Sequence, residues 1–128
     1  MKKRMNLVAT TASIGDAPQW VAVSVTDDSG DPVEGLSKWN FHLTALSSPG
    51  NAIDKKSLTI HDVTMNVPGV YQFVLLDEKG NDFPPAPPPG QSRGQYTIAI
   101  AMSGNAPGSG HLTQQITGQT LLAILEPS

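Results

Sequence analysis

Trp20-Val21-Ala22-Val23-Ser24-Val25-Thr26 decides the fold class of this chain. Val21, Val23 and Val25 alternate with Ala22, Ser24 and Thr26, so three β-branched side chains line one face of an extended strand. That face is expected to be core. Trp39, Phe41, Leu43 and Ala45 repeat the arrangement, with Asn40, His42 and Thr44 between them. Leu58 and Ile60, then Val63 and Met65, alternate in two phases, and the slip around His61 and Asp62 predicts a β-bulge or a bend. Val70 to Leu76, Tyr96 to Met102 and Thr120 to Leu125 supply further strands, with Gly118 marking a bulge or break before the last and Asn6 to Thr11 giving a fainter early one. No stretch keeps a 3.6-residue period with caps, and short strands separated by Gly- and Pro-rich turns point to a sandwich or barrel. The expected core comprises Val23, Val25, Trp39, Phe41, Leu43, Tyr71, Phe73, Ile98 and Ile100.

A length of 128 residues holds one domain, spanning 1–128, with a disordered basic start at 1–5 and a long proline-rich loop at 77–94. The net charge of -3 supplies no basic field for phosphate neutralisation, so nucleic acid is excluded as a partner class. The absence of cysteine removes disulfides, thiolate metal sites and cysteine nucleophiles together. Met1-Lys2-Lys3-Arg4 looks like the start of an export signal, but Thr10, Thr11 and Ser13 interrupt the apolar stretch that should follow. The default compartment is therefore cytoplasmic, or extracytoplasmic for a chain whose leader has been removed. No apolar run approaches the roughly 18 residues of a membrane span, so membrane insertion is not expected.

Asp27-Asp28-Ser29-Gly30-Asp31 and Asp77-Glu78-Lys79-Gly80-Asn81 both place Gly after polar residues. This spacing predicts a type I turn followed by a glycine at positive φ. The strands leading into them match in spacing too, as any two strands ending in one turn type would. The segments Val21 to Asp27, Gly30 to Leu36, Pro68 to Phe73 and Gly94 to Ile98 resemble bacterial immunoglobulin-like and transthyretin-like β-sandwich modules. The resemblance covers most of the chain from Trp20 onward and implies an all-β, antiparallel sandwich of about seven strands. It implies a spacer, adhesin unit or docking surface and no particular ligand. The transthyretin-like group includes a ureide hydrolase, but its C-terminal Tyr-Arg-Gly-Ser signature is absent here, where the sequence reads Leu125-Glu126-Pro127-Ser128. A hydrolase therefore ranks last among the readings.

Few residues suggest chemistry. Asp27, Asp28, Asp31 and Glu34 gather hard oxygen ligands in one turn, yet they lack the alternate-position ligands and distal bidentate Glu of a calcium loop. A solvated hairpin turn is the preferred reading, and no metal or cofactor is expected. His42, His61 and His111 show no paired metal-ligand spacing, and no serine lies in a nucleophile elbow, so no catalytic residue is assigned.

The most distinctive feature is Phe83-Pro84-Pro85-Ala86-Pro87-Pro88-Pro89-Gly90, whose prolines favour stiff polyproline II structure. Phe83, Pro84, Pro85, Pro87, Pro88 and Pro89 would present a ready-made strip to a partner, or else form a rigid spacer. Trp20 lies out of phase with the valines, which makes it the second candidate contact. A protein-interaction or structural module, with a protein partner or self-association, is the first functional class. Carbohydrate binding through Trp20, Tyr71 or Tyr96 is the alternative, disfavoured by an aromatic content of 5%.

Overall fold

The computed structural model describes residues 3–11, 19–47, 56–85, 89–92, 94–107 and 113–126. These form eight strands: β1 (Lys3–Arg4), β2 (Asn6–Thr11), β3 (Trp20–Thr26), β4 (Phe41–Ser47), β5 (Lys56–Val67), β6 (Val70–Leu76), β7 (Gln95–Pro107) and β8 (Thr113–Leu125). A single 3-10 turn at Lys38–Asn40 precedes β4, and no α-helix occurs among the described residues.

Hydrogen bonding links the strands in the order β1-β8-β7-β4-β5-β6-β3-β2, a nearly closed, barrel-like sheet. This differs from the expected antiparallel sandwich of about seven strands in two respects. The sheet is continuous because β5 is long enough to serve two neighbours: Lys56 to Leu58 pair with β4, whereas Thr59 to Val67 pair with β6. It is mixed because β1 runs parallel to β8, all other neighbours being antiparallel. The register along β5 shifts between His61 and Thr64, where the change of apolar phase predicts it.

Within the basic start, Lys3 and Arg4 form β1. Lys3 and Arg4 lie beside Ile116 and Thr117, and Met5 donates its N–H to the Thr117 carbonyl at 2.7 Å. The chain then crosses to β3, pairing Asn6 with Thr26. Burial of Met5 and Leu7 is what holds it there. Gly118 marks neither bulge nor break, since β8 pairs with β7 without interruption from Thr113 to Leu125. Its smallness has another cause: a Cβ there would meet Leu7 Cδ1 at 2.5 Å and the Met5 carbonyl at 3.0 Å. Gly118→Ala is expected to destabilise the fold by about 1–3 kcal/mol through overpacking. Hydrogen exchange should locate the damage at the Met5 amide.

The alternation of the strands becomes burial. Val21, Val23 and Val25 of β3 meet Tyr71, Phe73 and Leu75 of β6, Phe41 and Leu43 of β4, and Ile98 and Ile100 of β7. Eight of the nine expected core residues are buried; Trp39 is the exception, as described below. Met65, assigned to the apolar phase of β5, is also exposed, beyond the register shift.

Candidate interaction site

The two Asp-led turns are built alike. Asp27 Oδ1 accepts from the Ser29 and Asp31 amides at 2.9 and 3.0 Å, and Asp77 Oδ1 accepts from Lys79 and Asn81 at 2.9 Å each. Gly30 and Gly80 both stand at φ 86°, as the sequence predicts. Even the flanking support repeats: Asn6 Nδ2 donates to the Asp27 carbonyl at 3.4 Å, and Thr59 Oγ1 donates to that of Asp77 at 3.0 Å.

The acidic cluster therefore has a structural task. Its leading carboxylate is engaged by backbone N–H groups, and the second turn does the same with neutral Asn81 where the first has Asp31. Asp28 pairs instead with Lys3 at 3.5 Å on an exposed surface. Among the described residues no group of three or more His, Asp or Glu is placed to hold a metal.

The Asp77 carboxyl is held below the ordinary aspartate range, first by the Asn81 backbone hydrogen bond and further by that of Lys79. Since its folded-state pKa is depressed, the stabilisation it gives is present above the unfolded-state pKa and lost as pH falls through the folded one. A carbon-detected NMR titration is expected to give Asp77 a midpoint below that of the same residue in urea. Asp77→Asn, which cannot titrate, should remove the part of the pH dependence of stability that this carboxyl contributes.

His42 and His61 are both exposed, on β4 and β5, and His111 lies outside the described residues. Tyr71 serves the interior: its hydroxyl donates to the Val33 carbonyl at 2.6 Å and accepts from the Leu36 amide at 3.3 Å. Burial is the main influence that raises its pKa. This ties the segment after the first turn to the core and leaves Tyr71 no free face for a sugar.

The proline strip divides. Phe83 is only 5% exposed and stands edge-on to Tyr96, with ring centroids 4.9 Å apart. Pro84, joined to it by a cis peptide bond, is buried as well. Expected as contacts, these two residues are packed inward, because Phe83 follows the Asp77 turn back onto the end of β6, where its N–H reaches the Leu75 carbonyl at 3.4 Å. Pro85 and Pro89 are exposed, while Pro87 and Pro88 lie outside the described residues. Trp20 is half-buried on the outer face, cross-strand from Val74, which is 6% exposed although it points away from the barrel interior.

The exposed aromatic is Trp39, at 77%. Its turn is fastened at both ends. Ser37 accepts from the Trp39 amide at 3.3 Å, and the Ser37 amide donates to Asn40 Oδ1 at 2.9 Å. Asn40 Nδ2 in turn donates to the carbonyls of Ser103 and Asn105 on β7 at 3.0 and 3.3 Å. Lys38 Nζ sits 4.7 Å from the indole centroid. Because β4 and β5 are antiparallel, the start of one lies at the end of the other, so exposed Met65 and Val67 share this end with Trp39. Comparison with protein-family models, with curated proteins and with solved structures finds no match.

In the sequence Trp39 reads as core because it extends the alternation of Phe41 and Leu43. The signal that separates it is Ser37 three residues before Asn40, a capping pair that starts a turn and suspends the two-residue period.

Proposed function

We propose that the chain is a noncatalytic, immunoglobulin-like module that acts as a protein-interaction or structural domain. The strand order supports the immunoglobulin-like part. Divided at the β4–β5 pairing that joins them, it reads as a run β2-β3-β6-β5 and a run β1-β8-β7-β4, the order in which such sandwiches divide their strands between two sheets. The observation that carries the interaction role is Trp39, a large apolar ring presented to solvent on a turn already fixed by hydrogen bonds. Such a ring loses little conformational freedom on binding, which is why rigid aromatic anchors dominate interface energetics.

The same ring favours one second reading, carbohydrate binding by stacking of the indole on a sugar. Trp39→Ala, with folding verified by circular dichroism, is the discriminating variant. Affinity capture from the source cells followed by calorimetry on the isolated partner tests the first reading, and a glycan array tests the second. A loss of at least about tenfold in affinity is expected at an anchor position. If Trp39→Ala leaves both assays unchanged, the site moves to the remaining prolines of the strip, tested by replacing Pro85, Pro87, Pro88 and Pro89 with Gly and Ser.

A further inference from the structure

We propose that β8 is a self-association edge, and that two copies of this chain pair antiparallel through Gln119 to Leu125. This goes beyond the role of Trp39, which lies elsewhere on the barrel. Backbone direction along β8 is fixed at two points. The Thr117 carbonyl turns toward β1, accepting from Met5, whereas the Glu126 N–H turns toward β7, donating to the Gly94 carbonyl at 2.9 Å. The register between them is unbroken. Alternation then directs the N–H and C=O groups of Gln119, Leu121, Ala123 and Leu125 away from β7. β1 covers Ile116 and Thr117, and among the described residues no strand pairs with β8 on that side beyond them.

An open edge of this kind is normally blunted by charge, proline or a bulge. Gln119 to Leu125 has none of these. Leu121 is 63% and Leu125 48% exposed, and the β7 residues opposite the four outward positions are Ala101, Ala99, Thr97 and Gln95. Glu126, the nearest carboxylate, is buried with its Oε1 accepting from the Gly94 amide at 2.7 Å, so it is turned away from an incoming strand.

The occupant follows from this chemistry. Outward amide and carbonyl groups at every second residue are hydrated in the single chain, and the protein partner that matches their spacing is another extended strand. An antiparallel edge is complementary to itself about a two-fold axis. Centring the axis on Leu122 sets Gln119 against Leu125 and Leu121 against Ala123 of the second copy, each a large side chain beside a smaller or flexible one. A chain of net charge -3 meets no like-charge cost there, because the paired segment is uncharged.

Sedimentation velocity over a concentration series tests the pairing. The wild-type mass is expected to rise from one chain to two. Leu121→Lys places a charge at the centre of the edge, and Ala123→Pro removes an outward N–H that pairs with no strand among the described residues. Each should weaken dimerisation at least about tenfold. Thr64→Lys, on an exposed position of β5 three strands away from β8 in the sheet, should leave it unchanged. Hydrogen exchange on the wild type supplies a reading that does not depend on the variants' folding: the amides of Gln119, Leu121, Ala123 and Leu125 should gain protection as concentration rises. A wild type monomeric throughout overturns the proposal, as does a dimer in which those amides stay unprotected. Either result leaves the Trp39 site untouched.

Discussion

Phe41→Ala is expected to lower the unfolding free energy by about 3–5 kcal/mol. Phe41 is buried at the first position of β4, with its ring 5.4 Å from that of Tyr71 and 5.8 Å from that of Phe73. Truncation removes the transfer free energy of the ring and opens a cavity between two side chains that are themselves locked. The tilted ring contacts add about 0.5–1.5 kcal/mol each beyond the area they bury. A domain of this size holds only about 5–15 kcal/mol in total, so the loss should be plain in a urea titration as a lower midpoint at unchanged slope. Trp39→Ala supplies the contrast. Two residues earlier and of greater volume, its ring is in water, and its loss should move stability by no more than about 0.5 kcal/mol. Equal effects at the two positions would overturn the assignment of Phe41 to the core and Trp39 to the surface.

Gly69→Ala carries the second large effect. Gly69 turns β5 into β6 at φ 78°, where an L side chain costs about 1–2 kcal/mol. There a Cβ would also meet Pro32 Cβ at 2.6 Å, the Val25 carbonyl at 3.0 Å and Pro32 Cα at 3.1 Å. Two of those atoms are backbone and the third belongs to a ring fixed beside the first turn, so none yields as a flexible side chain would. Overpacking adds about 1–3 kcal/mol, for a total near 2–5 kcal/mol. Gly30→Ala isolates the conformational part, since Gly30 has φ 86° and nothing within 4 Å of the added carbon. It should cost only about 1–2 kcal/mol. Equal melting temperatures for the two variants would show that Pro32 shifts to relieve the contact.

Both contrasts bear on how much of the molecule the sequence discloses. A period of two converts directly into a buried face wherever a strand stays regular, which is why β3, β6 and β7 and their core residues follow from the string of letters. The Asp-Gly turns follow as well, because carboxylate capping and positive φ are local chemistry, complete within five residues. Even the slip in β5 is visible, since a change of register must change the apolar phase. The candidate sites were less accessible. Phe83 looks like the head of an exposed strip, and Trp39 like the first residue of a buried face. Each depends on where the chain leads next.

The sequence by itself thus determined the all-β class, the strand periods, the two turns and nearly all of the core, because each of these is set by side-chain pattern over a few neighbouring residues. Tertiary structure alone decided that the sheet is continuous and mixed, that Gly118 makes room for Leu7, that Phe83 packs against Tyr96, and that the outward edge of β8 runs on past β1. Each of these joins residues far apart in the chain. Their pairing is selected by shape and by backbone hydrogen bonds across the barrel, and those interactions leave no periodic trace in the sequence.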